Sequence, residues 1–184
     1  SDDESIKLKA KRHFSDYLNN KGYLSNNLGD ITGALDYFHQ SLKIQEQIGD
    51  KSGQSYSLNN IGYIYSSQKQ FLRALECYIK SYKLQKELND RHGQAQSLSN
   101  IGNVYDRSKR LKKALYYYFK GLNLRKEIRD KQGIGYSLQN IGTVYFNQEN
   151  YFSALFYFTK SLEIRREIND VQGISYALCN LGKV

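Results

Sequence analysis

The chain has 184 residues, of which 40% are hydrophobic and 24% are charged, and its formal net charge is +9. This composition is typical of a folded soluble protein and lies outside the low-hydrophobicity range of disordered chains. No stretch approaches the roughly 18 consecutive apolar residues of a membrane span, and residues 1–12 lack the apolar segment of a signal peptide. We therefore expect a cytoplasmic protein without membrane insertion, any targeting signals of which lie outside this chain.

Proline and cysteine usage narrows the fold class further. Proline interrupts helix interiors, so a chain of this length without proline favours long uninterrupted helices. Cys77 and Cys179 are far apart in sequence, which gives neither a disulfide framework nor a metal-ligand spacing. We interpret both cysteines as small packing residues.

An internal repeat of 40 residues organises the chain. A shift of 40 residues superimposes Ser-Leu-Asn-Asn-Ile-Gly at 57–62 on Ser-Leu-Ser-Asn-Ile-Gly at 97–102 and Ser-Leu-Gln-Asn-Ile-Gly at 137–142. The copies predicted by this shift run 13–52, 53–92, 93–132 and 133–172, and a partial copy follows at 173–184. We predict that they form a single repeat domain over residues 1–184.

Each copy contains two predicted helices, which we name helix A and helix B. In the second copy, Leu58, Ile61 and Tyr65 stand at i, i+3 and i+7, which is one face of an amphipathic helix A. After a polar break the helical spacing resumes at Phe71 and continues to Leu88, which gives helix B. The fold class predicted by this alternation is all-α.

Small residues recur inside both apolar stripes of every copy. Gly62 lies in helix A and Ala74 in helix B, and a glycine inside a helix costs about 1 kcal/mol relative to alanine. Their recurrence therefore needs a packing reason, and we interpret them as the place where helices A and B cross closely. The equivalent residues in the other copies are Gly22, Gly102, Gly142, Ala34, Ala114 and Ala154.

Helix boundaries between copies are marked by a repeated dipeptide. The pairs are Gly49-Asp50, Asn89-Asp90, Arg129-Asp130 and Asn169-Asp170. Glycine or asparagine suits a left-handed helix end and aspartate suits an N-cap, so each helix B should stop at this point. Arg129 fits the left-handed conformation least well.

The spacing within the second copy resembles a known signature. The residues Leu58, Ile61-Gly62, Tyr65, Ala74, Tyr78 and Ser81 follow the tetratricopeptide repeat pattern, which implies a right-handed superhelical solenoid of antiparallel helix pairs. Leucine replaces the consensus tryptophan, and Glu46, Lys86, Lys126 and Arg166 replace the closing proline, so that helix B can run on. The longer period is similar to Pins-type scaffolds, kinesin light chains, Rap-type regulators and bacterial signalling proteins.

The resemblance implies a protein-interaction module that holds a peptide or partner segment in a concave groove lined by the A helices. Such a module is typically part of a larger signalling or scaffold protein. Opposite the core stripe of the A helices, the predicted groove residues are Asn20, Tyr23, Tyr56, Asn60, Tyr63, Gln96, Asn100, Asn103, Arg107, Tyr136, Asn140, Thr143 and Asn180.

Asparagine and tyrosine dominate this predicted groove. The ladder of one asparagine per copy can donate to peptide carbonyls and accept from peptide N–H groups, whereas tyrosine supplies flat apolar surface with a polar tip. Arg107 is the only basic residue among these positions, and Lys183 at the end of the same stripe is the only other one, which disfavours a clamp for acidic carboxyl termini. Recent duplication of the repeat, or hydrogen bonding between adjacent A helices, would also produce a repeated asparagine and tyrosine.

The positive charge could also indicate nucleic-acid binding, but its distribution argues against such a partner. Most basic residues of helix B, including Lys80, Lys83, Arg125 and Arg165, lie near glutamates, which is typical of a solvated outer face. A nucleic-acid partner is therefore disfavoured. The strongest exception, which could attract an acidic partner, is the cluster Arg107, Lys109, Arg110, Lys112 and Lys113.

No recognisable catalytic motif or cofactor motif is present in the sequence. His13, His39 and His92 occupy different positions in the repeat, so no metal site is predicted, and we expect neither an enzyme nor a cofactor. The alternative function is an architectural or self-association spacer. It follows from Leu178 and Leu181, which form half of a core stripe in the partial copy that no following helix B covers.

Overall fold

The computed structural model describes residues 2–184, with side chains described from Glu4 onward. Over these residues it contains nine α-helices and no strand, so the all-α prediction is confirmed. The helices are α1 (Asp2–Asn27), α2 (Ile31–Gln47), α3 (Lys51–Ser67), α4 (Phe71–Glu87), α5 (Arg91–Arg107), α6 (Leu111–Glu127), α7 (Lys131–Asn147), α8 (Tyr151–Glu167) and α9 (Val171–Leu181). Odd-numbered helices are the predicted A helices and even-numbered helices are the predicted B helices.

Two compact units divide the chain. Unit 1 extends to Asp90 and contains α1 to α4, whereas unit 2 extends from Arg91 to Val184 and contains α5 to α9. Within each unit every helix packs against the next one in sequence, and the connections have three residues each. Short connections of this kind make neighbouring helices antiparallel. The grouping of all copies into one domain stays a prediction.

The turns after the B helices adopt the predicted left-handed conformation. Positive φ angles of 69°, 54°, 55° and 54° occur at Gly49, Asn89, Arg129 and Asn169. Arg129 adopts it as well, because its N–H bonds to the Lys126 carbonyl and the next N–H closes the helix end. These two bonds offset the cost of about 1–2 kcal/mol for a left-handed residue with a side chain.

Aspartate caps the A helices that follow these turns. The carboxylate of Asp50 accepts a hydrogen bond from the backbone N–H of Gly53 at 3.1 Å, and Asp130 accepts from Gly133 at 2.8 Å. A Cβ at Gly53 would lie 2.8 Å from the Gln45 side chain, which folds over the first turn of α3. Glycine at position 53 therefore leaves room for both the capping carboxylate of Asp50 and the Gln45 side chain of the preceding B helix.

The recurrent glycine in the middle of the A helices accommodates an aromatic ring. A Cβ at Gly62 would lie 2.9 Å from Cε1 of Tyr78, whose ring is 3% exposed. The predicted crossing of helices A and B is thus present, but its close contact is made by a ring and not by two backbones. The same contact joins Gly22 to Phe38, Gly102 to Tyr118 and Gly142 to Phe158.

A buried serine ties helix B to helix A in three of the copies. The Ser81 hydroxyl donates to the Ser55 carbonyl at 2.9 Å, and equivalent bonds join Ser41 to Ser15 and Ser161 to Gly135. The third copy has Gly121 at this position. There the Ser99 hydroxyl donates to the Ala95 carbonyl, which a Cβ on Gly121 would approach to 3.3 Å. The Ala95 carbonyl thus accepts a hydroxyl from its own helix α5, and this bond does not tie α6 to α5.

Two expectations about individual side chains are wrong. Arg125 and Arg165 are not solvated on an outer face: they are 3% and 7% exposed, and their guanidinium groups lie against the first turn of the next A helix. Cys179 is exposed, so it is not a packing residue, whereas Cys77 is half-buried beside the core of unit 1. Burial raises the pKa of the Cys77 thiol to about 11.

Candidate peptide-binding clefts on the A helices

Clefts open along the A helices of the described chain, and we number three of them in chain order. Cleft 1 lies between α1 and α3 and has a volume of about 620 Å³. It contains two predicted groove residues, Asn20 and Tyr56. Its polar rim includes Arg12 and Asp50, whose Nε and Oδ2 atoms are 3.5 Å apart. The full lining consists of Arg12, Asp16, Asn19, Asn20, Asp50, Ser52, Gly53 and Tyr56.

Cleft 2 lies between the C-terminal halves of α1 and α3 and brings together three predicted groove residues. Tyr23, Asn60 and Tyr63 line it, its volume is about 290 Å³, and the Phe38 ring lies at its base. Both tyrosines are more than half exposed, at 56% and 58%. The Nδ2 atom of Asn60 is buried without a hydrogen-bond partner, which leaves a donor unsatisfied at this cleft.

Cleft 3 lies in unit 2, between α7 and α9, and has a volume of about 410 Å³. Its lining corresponds almost position by position to that of cleft 1 after a shift of 120 residues. The predicted residue Tyr136 faces it together with Tyr176, and both rings are exposed. The remaining lining residues are Gln132, Gln139, Arg165, Asp170, Gln172 and Gly173.

Asn140 in unit 2 repeats the feature found at Asn60. Its Nδ2 atom is likewise buried without a partner. Nearby positions of unit 2 differ from cleft 2, because Asn103 hydrogen-bonds Tyr118 and Asn147 hydrogen-bonds Asp106. Burial raises the pKa of the Asp106 carboxyl, and the Asn147 hydrogen bond only partly opposes this effect.

The other predicted groove residues are engaged within unit 2 or lie outside the three clefts. Gln96 donates to the Asn100 carboxamide at 3.2 Å, one turn along α5. Thr143 donates to the Gln139 carbonyl at 3.0 Å. Arg107 is exposed at the end of α5, and Asn180 is half-buried on α9.

Hydrogen bonding between adjacent A helices involves a different asparagine from the predicted ladder. The Ser57 hydroxyl donates to the Oδ1 atom of Asn19 at 2.9 Å, and this bond joins α1 to α3. Asn19 is 4% exposed, whereas the ladder residue next to it, Asn20, is exposed and lines cleft 1. Structural bonding between these two helices is therefore assigned to Asn19, and the side chain of Asn20 faces the cleft.

Two buried arginines of unit 2, Arg125 and Arg165, were not predicted as site residues from the sequence. Arg165 donates from Nη2 to the Gln139 carboxamide at 2.9 Å and from Nη1 to Asp170 at 2.8 Å, at the edge of cleft 3. Arg125 donates to Ser137 and, at 3.3 Å, to Gln96. The signal in the sequence is the change at one repeat position, where unit 1 has glutamine and unit 2 has arginine.

Two features are absent from the described residues. Among residues 2–184, no helix combines the length and apolar character needed to cross a bilayer. In the same part of the chain, no three His, Cys, Asp or Glu side chains gather as metal ligands.

The fold is shared with solved structures of low sequence identity. The apo form of RapI is 22% identical with a TM-score of 0.78, and the match covers 93% of this chain and 69% of RapI. BtubC (BKLC) from P. vanneervenii is 15% identical with a TM-score of 0.77, with 97% and 82% covered. Aspartyl phosphate phosphatase F from Bacillus subtilis is 14% identical with a TM-score of 0.85, and the match covers 91% of this chain but 44% of that protein. At these identities the likeness shows the fold alone.

Family models give a more direct assignment. One tetratricopeptide repeat model matches residues 15–87 and 54–127, and a second matches residues 135–171. A comparison with curated protein sequences gives no match. The matched ranges cover most of the chain and confirm the resemblance predicted from its repeat spacing. The chain therefore belongs to the tetratricopeptide repeat family.

Proposed function

We propose that the A-helix clefts bind an extended peptide segment of a partner protein. Tetratricopeptide repeats are protein-interaction modules, and solenoids of this kind bind their partners on extended surfaces. The observation that carries the proposal is in cleft 2, where Asn60, with its unsatisfied Nδ2 atom, lines the same cleft as the exposed rings of Tyr23 and Tyr63. A ligand carbonyl would satisfy the buried Nδ2 atom after a small rotation of the side chain.

The geometry of neighbouring helices suits an extended ligand. Packed helices lie about 8–10 Å apart and an extended chain advances about 3.3 Å per residue. Within each unit, one carboxamide per A helix would therefore meet about every third residue of the ligand. Between these contacts, the tyrosine rings would cover apolar ligand side chains and offer their hydroxyl groups for hydrogen bonding.

An array of immobilised nine-residue peptides tests this proposal. The wild-type chain should bind a subset of the peptides, and a variant with Asn60→Ala and Asn140→Ala should weaken the affinity for them about tenfold or more. Gln47→Ala serves as the matched control, because Gln47 is an exposed carboxamide on the B helix α2. Equal affinity of the wild type and the double variant, at unchanged helical circular dichroism, would reject the role of the ladder.

The second candidate function is a spacer that self-associates through α9. It is favoured by one observation: Leu178 is 47% and Val171 75% exposed on this helix. Exposed apolar side chains that share one helix can form a contact with a second copy. Light scattering over a hundredfold range of protein concentration tests this function, and a constant monomer mass would rule it out.

A further inference from the structure

A fourth cleft, chemically different from the other three, lies on the B helices of unit 2. It opens between α6 and α8, with α7 as its floor, and has a volume of about 520 Å³. Its walls and floor are largely apolar and include Phe119, Leu122, Ile134, Phe156 and Tyr157. We call it the outer cleft. None of its lining residues belongs to the A-helix clefts described above.

The outer cleft differs in chemistry from the equivalent surface of unit 1. A shift of 80 residues relates it to the surface between α2 and α4 of unit 1. Phe156 takes the position of Glu76, and Phe119 takes that of His39. Because the same fold is built in unit 1 with charged and polar side chains at these positions, the rings are not needed to form the helices.

Large apolar side chains extend from the cleft over the surface of α8. Phe156 is 52% exposed and Leu155 46%, and Phe152 at the start of the helix is 84% exposed. On α6, Tyr116 is 54% exposed. Single exposed apolar residues are ordinary, but a contiguous patch of this kind beside a cleft marks an interaction surface.

Charge around the outer cleft favours an acidic partner. Unit 2 has 15 lysines and arginines against seven aspartates and glutamates, whereas unit 1 has 12 against 11. Lys126 and Lys160 line the cleft, and the carboxylate in its lining, Glu163, bonds Lys160 at 2.7 Å. The rim therefore carries net positive charge, which raises the local concentration of acidic segments.

The composition of the lining favours a helical partner over an extended one. An extended segment would bring unpaired backbone N–H and C=O groups against an apolar wall, where they would lose their bonds to water. A helix satisfies these groups internally and presents only side chains. The wall from Phe119 to Lys126 on α6 covers about two turns, or roughly 12 Å, which matches two to three turns of a docked helix.

We propose that the outer cleft docks an amphipathic helix of a partner protein. Apolar side chains at i, i+3, i+4 and i+7 of that helix enter between Phe119 and Phe156, and acidic residues on its flanks face Lys126 and Lys160. This mode of recognition places the apolar face of a helix in a groove between two other helices. It is independent of peptide binding at the A helices, so either proposal stands if the other fails.

A pair of synthetic helices tests the proposal directly. Both probes are stapled, fluorescein-labelled 14-residue helices with leucine at i, i+3, i+4 and i+7, and they carry either glutamate or lysine at the flanking positions. Fluorescence anisotropy should show that the glutamate probe binds about tenfold tighter, with an affinity that falls as salt is added. Equal binding of the two probes would overturn the charge assignment.

Two variants locate the bound probe. Phe156→Glu introduces the side chain that unit 1 tolerates at the equivalent position, and it should weaken binding of the glutamate probe about tenfold or more. Lys126→Glu, at an exposed position, should remove the preference for the glutamate probe without affecting the fold. Leu72→Ala is the control, because Leu72 is an exposed apolar residue on the B helix α4 of unit 1 and lines none of the clefts, and it should leave the affinity unchanged.

Two outcomes would contradict the proposed docking of a partner helix. Unchanged affinity in both Phe156→Glu and Lys126→Glu would place the probe elsewhere and overturn the proposal. A wild-type chain that forms dimers which Phe156→Glu dissociates would show that a second copy occupies the cleft, and that result also contradicts a partner helix. Helical circular dichroism of each variant verifies that it is folded.

Discussion

The guanidinium of Arg165 donates from Nη1 to Oδ2 of Asp170 at 2.8 Å, across the turn that joins α8 to α9. The other carboxylate oxygen of Asp170 caps α9 by accepting from the backbone N–H of Gly173 at 2.9 Å. In unit 1 the equivalent cap, Asp50, is approached instead by Arg12 of α1. Asp50 and Asp170 are equivalent caps, but the arginine that approaches the carboxylate comes from α1 in unit 1 and from α8 in unit 2.

We expect Arg165→Ala to destabilise the protein by about 2–3 kcal/mol. The buried guanidinium also donates to Gln139 and Ser161, so its removal leaves three polar groups without this partner. Urea unfolding followed by circular dichroism measures the loss as a shift of the midpoint.

The neighbouring arginine provides the control for this substitution. Arg166 is exposed on the same turn of α8, and Arg166→Ala should change the free energy of unfolding by less than about 0.5 kcal/mol. Equal losses in the two variants would mean that the buried hydrogen bonds of Arg165 contribute no net stability.

Much of the fold follows from local patterns that the sequence displays directly. The apolar spacing at Leu58 and Ile61 predicts helix A, and both residues are buried in the structure. The aspartates before the A helices predict N-caps, and Asp50, Asp130 and Asp170 accept the expected bonds from backbone N–H groups. These features are predictable because each depends on residues fewer than ten positions apart.

Features that depend on contacts between helices were harder to predict. The basic spacing on the B helices is typical of a solvated face, but Arg125 and Arg165 lie where the next A helix begins to cover helix B. Asn60 and Asn100 are equivalent in sequence, and only the structure distinguishes an unsatisfied Asn60 amide from an Asn100 carboxamide that accepts a bond from Gln96. Neither distinction is encoded in the repeat spacing.

Gly62→Ala should destabilise the protein by about 1–2 kcal/mol, although alanine is the better helix former. The added Cβ would lie 2.9 Å from Cε1 of Tyr78, and this ring has little room to move because it is 3% exposed. Thermal unfolding should show a lower Tm, by about 2–4 °C for each kcal/mol lost.

A glycine without such a neighbour gives the opposite expectation. A Cβ at Gly182 would lie 3.6 Å from the nearest heavy atom, the Leu178 carbonyl oxygen, in ordinary contact. Gly182→Ala should therefore leave the Tm unchanged or raise it slightly. Should Gly62→Ala also raise the Tm, the packing of the Tyr78 ring could not be the reason for the recurrent glycine.

Asp106→Asn should stabilise the protein at neutral pH. Burial raises the pKa of the Asp106 carboxyl, and its Oδ1 atom is buried without a hydrogen-bond partner. A carboxyl whose pKa is higher in the folded state binds more protons there than in the unfolded state. Ionisation of Asp106 therefore lowers stability as the pH rises from its unfolded pKa through its folded pKa, and asparagine removes this loss.

The pH dependence separates this cause from a simple gain in hydrogen bonding. Urea unfolding at pH 7.5 and at about pH 3.5, below the usual aspartate pKa, should show a stabilisation by Asp106→Asn that shrinks at the lower pH. The first copy already has Asn26 at the equivalent position, so the substitution is compatible with the repeat. A stabilisation of the same size at both pH values would contradict the role of ionisation, and a destabilisation at pH 7.5 would show that the carboxylate is favoured by the bond from Asn147 and the charge of Lys109.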